Sequence, residues 1–81
     1  MQEAEAKLLF DTGAIFQKAI IVPVPMGTGW HLHLIKFGRI AESVVIERQR
    51  GGHRIFKTID AAVNTAQNIG FKRVEVDLST L

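Results

Sequence analysis

The chain is short, free of cysteine and mildly basic, and these properties exclude several classes of protein. Its 81 residues allow a single domain, residues 1–81, with one hydrophobic core. The absence of cysteine excludes disulfides and thiolate-bound metals, so we expect homodimerisation to stabilise so small a core. The longest apolar run, residues 19–24, is too short to span a bilayer, and the acidic first residues differ from the basic start of a secretory signal. We therefore expect a cytoplasmic protein with no membrane contact.

The positive charge of the chain is concentrated in its middle. Between Lys36 and Lys57, six basic residues stand against two acidic ones, a local balance of +4, whereas the rest of the chain carries −2. A charge run of this kind is usually a solvated surface, but a surface that binds phosphates has the same pattern. Both interpretations stay open at this point.

The first third of the chain predicts a short helix followed by a strand. Residues 2–10 have acidic side chains near their start and a rough apolar side, which favours a helix, although part of this segment could equally be a strand. Residues 11–13, Asp-Thr-Gly, are typical of a turn. Residues 15–24 are rich in β-branched side chains and predict a strand, which Pro23 and Pro25 end or place at a sheet edge.

Residues 30–35 predict a second strand, because the side chains alternate along them with a period of two. Trp30, Leu32 and Leu34 share one face, and His31, His33 and Ile35 share the other. We expect Trp30 to pack in the core, although a tryptophan next to glycine at a strand start could instead stack on a nucleic-acid base.

A β-hairpin is predicted in the basic middle of the chain. Residues 40–49 favour a strand, and Gly51-Gly52 favours a two-residue turn, because the turns that suit hairpins need positive φ angles. With this turn, Glu47 lies opposite Phe56. The arrangement collects four side chains at the hairpin tip: Arg48, Arg50, His53 and Arg54.

The clearest helix covers residues 58–69. Thr58 is a good N-cap, and Gly70 stands where a helix commonly ends. The apolar stripe of this helix comprises Ile59, Ala62, Val63, Ala66 and Ile69. A final alternating strand over residues 72–78 points Val74, Val76 and Leu78 inward. The sequence thus predicts an α+β domain in which an antiparallel sheet of four to five strands carries its helices on one face.

One short motif resembles the active-site signature of the retropepsin-like aspartic proteases. It reads Leu8-Leu9-Phe10-Asp11-Thr12-Gly13-Ala14. The resemblance implies a dimer in which two copies of Asp11 share a proton. That family has strands ahead of the motif, whereas only ten residues precede Asp11, so a plain turn is the favoured interpretation.

His31 and His33 have a spacing that metal sites use, with His53 or Glu42 as a third ligand. Exposed strand histidines are commoner than such sites, so we predict no metal and no other cofactor. The chain has only two serines, and neither lies in a turn typical of a nucleophile. We therefore predict a protein without catalytic residues.

The basic hairpin is the strongest functional candidate in the sequence. Arginines at a two-stranded tip can reach phosphates, and a histidine-bearing sheet face beside them suits single strands. We therefore predict a homodimeric, non-enzymatic protein that binds nucleic acid mainly through phosphates. The predicted contact residues are Lys36, Arg39, Arg48, Arg50, His53, Arg54 and Lys57, and Lys72 and Arg73 extend the surface.

The last third of the chain carries a further resemblance. Its pattern is Arg54-Ile-Phe-Lys-Thr-Ile-Asp-Ala-Ala, then Ile69-Gly-Phe, then Val74 and Val76. This is similar to the carboxy-terminal pattern of short, mostly uncharacterised accessory proteins of plasmids, filamentous phages and other mobile elements. The resemblance implies a bacterial cytoplasmic protein that handles DNA in preference to RNA, and it identifies no binding residues.

A protein-interaction module, such as an adaptor or inhibitor encoded by a mobile element, is the alternative. It would pair through a strand edge near residues 20–24 or through a sheet face. A large exposed apolar patch would favour this alternative, whereas a continuous basic stripe would favour nucleic acid.

Overall fold

A computed structural model describes residues 1–13, 15–38 and 42–79. Two helices and four strands follow one another along the chain. They are α1 (Glu3–Gly13), β1 (Phe16–Pro23), β2 (Trp30–Lys36), β3 (Ser43–Val45), α2 (Ile59–Ile69) and β4 (Val74–Val76). Neither helix in these ranges is long and apolar enough to cross a membrane.

The four strands form one sheet with the order β3-β2-β1-β4. β2 runs antiparallel to both of its neighbours, whereas β4 runs parallel to β1, with Ala19 opposite Val74. The α+β class is confirmed, but the prediction of a purely antiparallel sheet is wrong. The sheet is mixed because the chain passes through α2 before it forms β4, and a helical crossover is the usual connection to a parallel strand.

The first helix is longer than predicted. Residues 11–13, expected as a turn, form the last turn of α1. The Thr12 hydroxyl donates a hydrogen bond to the Leu8 carbonyl oxygen at 2.9 Å, and Lys7 lies 3.6 Å from the Asp11 carboxylate one helical turn away. These contacts within the helix satisfy the polar side chains that a turn would otherwise use.

The glycine pair turns the chain as predicted, but the register of the hairpin differs. Gly51 and Gly52 both have positive φ angles, 91° and 77°. Glu47 nevertheless lies opposite His53 rather than Phe56. The prediction of a two-residue turn is therefore wrong. We refer to residues 47–53 as the hairpin.

The physical reason for this register lies in β2. Its edge bonds directly to two separate segments: the amide of Ile46 donates to Leu32, and Phe56 exchanges backbone hydrogen bonds with Trp30. The chain between these anchor points has to protrude as a bulging hairpin. The predicted strand over residues 40–49 is accordingly reduced to β3, and its residues 40 and 41 lie outside the described ranges.

One face of the sheet packs against the helices and forms the core. α2 packs on β1 and β2, and α1 packs on α2. The predicted alternation of β2 is confirmed, because Leu32 and Leu34 are fully buried and Trp30 packs against them on the same side. The apolar face of α2 is also confirmed, and its buried residues are Ala62, Thr65, Ala66 and Ile69.

β4 is less well covered than predicted. Val74 packs against the core, but Val76 and Leu78, both expected to point inward, are 44% and 57% exposed. β4 is an edge strand, and the helices lie over β1 and β2. Side chains beyond Val74 therefore extend past the helical cover.

Thr58 caps α2 as predicted, and its replacement tests how much this cap contributes. Its hydroxyl oxygen accepts a hydrogen bond from the Ala61 amide at 3.1 Å. We expect Thr58→Ala to lower the free energy of unfolding by about 1 kcal/mol, because an orphan helix amide loses its partner. Urea denaturation measures the change, with Thr28→Ala in an exposed loop as the control, expected within about 0.5 kcal/mol of wild type. Equal effects of the two substitutions would contradict a capping role.

Candidate binding surface

The sheet face opposite the helices carries a shallow groove. β1 and β2 contribute alternate side chains to it, among them Ile20, Val22 and Ile35, because the neighbouring positions point into the core. The groove has a volume of about 420 Å³. Its polar lining consists of Asp77 and three histidines, so it is mainly an apolar surface with a few polar groups.

The three histidines, His31, His33 and His53, form a cluster along one side of the groove. The ring centroids of His31 and His33 are 6.3 Å apart, and those of His31 and His53 are 5.3 Å apart with the rings nearly perpendicular. The Nδ1 atom of His33 lies 3.2 Å from the Ser43 hydroxyl oxygen. The alternation of β2 predicts the shared face of the first two, and the structure places His53 of the hairpin beside them.

Two members of the cluster, His31 and His33, have lowered pKa values, which favours their uncharged form. Burial lowers the pKa of His31 below its ordinary value, and the nearby His53 lowers it further. Burial also lowers the pKa of His33, with smaller contributions from the positive charges that His31 and His53 would carry. A neutral imidazole offers a planar ring with one hydrogen-bond donor and one acceptor. His31 and His33 therefore act as small aromatic surfaces more than as positively charged groups.

The spacing of His31 and His33, which metal sites also use, is not completed to a metal site by a third ligand within the described residues. Across residues 1–13, 15–38 and 42–79, no group of three His, Cys, Asp or Glu side chains is placed to hold a metal ion. His31 and His53 meet edge to face. We assign the cluster no metal.

The hairpin presents two arginines at its turn. Arg48 donates a hydrogen bond from Nε to the Gly51 carbonyl oxygen at 3.2 Å, which orients its side chain over the turn. Arg50 follows it, and both are exposed. Within the part of the chain that the structure describes, neither forms an ion pair with an acid. Their charges are therefore available to an anionic ligand.

Arg54 has a different environment from the other hairpin cations. Its guanidinium lies 3.0 Å from the Glu3 carboxylate and 4.7 Å from the centre of the Phe56 ring. These contacts tie the base of the hairpin to the first turn of α1 and balance the positive charge. Arg54 thus supports the position of the hairpin more than it offers a free cation.

The start of the chain also fixes the hairpin. The Met1 amino group lies 2.6 Å from the Glu47 carboxylate, and this hydrogen bond and positive charge lower the pKa of Glu47. The Gln2 side chain donates to the Gln49 carbonyl oxygen at 3.1 Å. A cleft of about 680 Å³ remains between the start of α1 and the hairpin. Nothing in the sequence pattern signals these contacts, because they join residues far apart in the chain.

The remaining predicted contact residues divide between the two ends of the sheet. Lys57 directly follows Phe56, which pairs with Trp30 at the hairpin end of β2. Lys36 lies at the opposite end of β2, opposite Phe16. Lys72 and Arg73 precede β4 at the same end of the sheet as Lys36. The predicted contact residue Arg39 lies outside the described residues. The predicted basic residues therefore do not form one continuous stripe.

The motif similar to the retropepsin-like proteases occupies an unexpected place. Asp11 lies on α1, exposed to solvent and paired with Lys7 at 3.6 Å. The resemblance implies a carboxylate shared across a dimer axis, whereas Asp11 and Thr12 lie in the last turn of a helix. The geometry of this segment gives the resemblance no support.

Comparisons with known proteins add no identification. Protein-family models, curated proteins and solved structures yield no match to this chain. The resemblance of the last third of the chain to accessory proteins of mobile elements stays a prediction. What bears on function is the geometry: a protruding turn with free arginines beside a groove lined by apolar side chains and histidines.

Proposed function

We propose that this protein is a cytoplasmic, non-enzymatic nucleic-acid-binding domain. One observation carries the proposal: the contact between His53 and His31 joins the hairpin to the groove. Cations that suit phosphates and planar rings that suit bases thereby become parts of one surface.

Arg48 and Arg50 are the phosphate contacts in this proposal, and Lys57 adds a third exposed cation at the same end of the sheet. We leave Arg54 out because Glu3 already balances its charge. Neutralising phosphates releases bound counterions, so the affinity is expected to fall steeply with salt. Electrostatic attraction of this kind also speeds association with any polyanion.

Replacing both turn arginines tests the phosphate contacts. For Arg48→Ala/Arg50→Ala we expect binding to a labelled oligonucleotide at low salt to weaken by roughly thirtyfold or more, because each of the two charged hydrogen bonds contributes about 1 kcal/mol or more. The slope of log K against log salt should flatten by about 0.7 for each lost contact with a single strand. Fluorescence anisotropy at several salt concentrations measures both quantities.

Two matched controls separate this effect from a loss of charge or of structure. Lys72→Ala/Arg73→Ala removes two cations at the far end of the sheet and should leave affinity and slope nearly unchanged. Arg48→Lys/Arg50→Lys keeps both charges and should retain most of the slope. Equal weakening by the near and the far pair would mean that only net charge matters, and the hairpin would lose its assigned role.

A protein-interaction module is the second candidate, and the apolar lining of the groove favours it. Part of the strand edge first expected near residues 20–24 is already occupied, because β4 pairs with β1 as far as Ile21. A protein partner, or a second copy in the proposed homodimer, would therefore use the sheet face. If wild-type protein fails to bind single- and double-stranded oligonucleotides at low salt, this candidate replaces the first.

A further inference from the structure

We propose that the groove is a binding site for unpaired bases, so that the protein selects single-stranded over double-stranded nucleic acid. This inference rests on the proposed function and names its ligand class. Bases would enter the groove between β1 and the histidine cluster, while Arg48 and Arg50 hold the flanking phosphates.

The shape and lining of the groove suit bases. A volume of about 420 Å³ lies within the range of small-ligand sites, and a duplex is far too wide to enter it. Ile20, Val22 and Ile35 offer apolar contacts to the faces of a base. The imidazoles of His31 and His33 add ring surfaces and can donate or accept hydrogen bonds at a base edge.

The charges around the groove determine on which side of it the phosphate backbone of a bound strand would lie. The hairpin lies on the β3 side of β2, and His53 brings its basic turn to one rim. Asp77 lies on the other rim, on the β4 side of β1. Its backbone amide donates a hydrogen bond to the Ile21 carbonyl oxygen of β1. Hydrogen bonds from Ser79 lower the pKa of Asp77, so this rim stays negative. A backbone of phosphates is therefore attracted to the hairpin rim and repelled from the opposite one, which leaves the groove floor to the bases.

A duplex matches this surface poorly. Its bases are stacked inside, and its outer surface offers phosphates and groove edges. The apolar floor of the groove gives phosphates no partner, so only the hairpin arginines would contact a duplex. Unpaired bases, in contrast, contribute about 1–3 kcal/mol each when they pack on aromatic side chains.

The experiment compares three labelled probes of equal length at low salt: a single strand, its duplex, and a single strand in which most nucleotides are abasic. We expect wild-type protein to bind the single strand at least tenfold more tightly than the other two. Fluorescence anisotropy gives the dissociation constants. The abasic strand carries the same phosphates, so it isolates the contribution of the bases.

Two groove variants locate the effect. Val22→Lys places a positive charge on the groove floor, so a purely electrostatic binder would bind every probe more tightly. We expect the opposite for the single strand, at least tenfold weaker binding, because the side chain obstructs the bases. His33→Gln is the milder second variant, should Val22→Lys fail to fold, and is expected to weaken single-strand binding several-fold while leaving duplex binding unchanged.

The possible failures are distinguishable. Equal affinity for all three probes, or tighter single-strand binding by Val22→Lys, would overturn the base-binding groove and leave the proposed function standing. No binding to any probe would overturn both. Sedimentation velocity completes the test: a wild-type dimer that Val22→Lys converts to monomer would assign the groove to a second copy of the chain and overturn the inference.

Discussion

Replacement of Gly70 by alanine is expected to lower the free energy of unfolding by about 2–5 kcal/mol, a large share of the stability of so small a domain. Gly70 ends α2 with a φ angle of 137°, a conformation that side chains rarely adopt, and the strain alone costs about 1–3 kcal/mol. An added Cβ would also lie 2.5 Å from two ring atoms of Phe10. Such overpacking costs a further 1–3 kcal/mol or so.

The Phe10 ring that a new methyl group would displace packs against the core. It packs edge to face on Phe71 with the ring centroids 4.9 Å apart, and Phe71 in turn lies 6.1 Å from Phe16 in the core. A shift of Phe10 would therefore disturb the contact between the two helix ends and the sheet. Thermal and urea denaturation of Gly70→Ala measure the loss, which corresponds to a fall in Tm of roughly 10 °C or more.

Gly51→Ala is the matched control for this substitution. Gly51 also has a positive φ angle, 91°, but nothing lies within 4 Å of the position that its Cβ would occupy. It should therefore show the backbone strain without the collision. If both variants lose the same free energy, the contact with Phe10 has no energetic weight and the packing at the end of α2 is looser than described.

Stability is expected to fall as the pH drops below about 6.5, the ordinary pKa of histidine. The pKa values of His31 and His33 are lowered in the folded chain, so the unfolded chain binds more protons in this range. The contribution of the two histidines to the free energy of unfolding is then fully present above pH 6.5. It decreases as the pH falls towards their lowered pKa values in the folded chain. The slope is limited to about 1.4 kcal/mol per pH unit for each histidine. Urea denaturation between pH 7.5 and 5 measures it.

Two carboxylates act in a separate, more acidic range. The pKa values of Glu47 and Asp77 are lowered from 4.5 and 3.8, so their contributions are present above those values and are lost only below them. The variant His31→Gln/His33→Gln should therefore flatten the profile between pH 5 and 7 and leave the acidic limb unchanged. A slope that persists between pH 5 and 7 in this variant would show that the histidine cluster is not its source.

The parts of the fold that the sequence predicts are those determined by local chemistry. The N-cap at Thr58, the apolar stripe of α2 and the stop at Gly70 all depend on residues within a few positions of one another. The alternation in β2 likewise places His31 and His33 on the face opposite Leu32 and assigns half of the candidate groove. Periodicity is sufficient for such assignments because burial of one face determines both the element and its orientation.

The parts that the sequence does not predict depend on contacts between distant residues. The hairpin register follows from Trp30, which binds Phe56 and leaves Glu47 opposite His53. The orientation of β4 follows from the crossover through α2. Arg54 looked like one more free cation in a basic run, and its partner Glu3 lies at the other end of the sequence. In each case the local sequence pattern identifies the residue or element, but it does not identify the distant residue that it contacts.

The parallel pairing of β1 with β4 also determines the order in which the sheet can assemble during synthesis. β1 and β2 are consecutive strands and can pair soon after both have left the ribosome. β4 can dock only after α2 has been made, since it joins β1 at residues far apart in the chain. Until then, one side of β1 exposes unpaired amide and carbonyl groups beside β-branched side chains, a surface that captures other extended chains. The nascent chain is therefore most prone to aggregation in the interval before β4 docks.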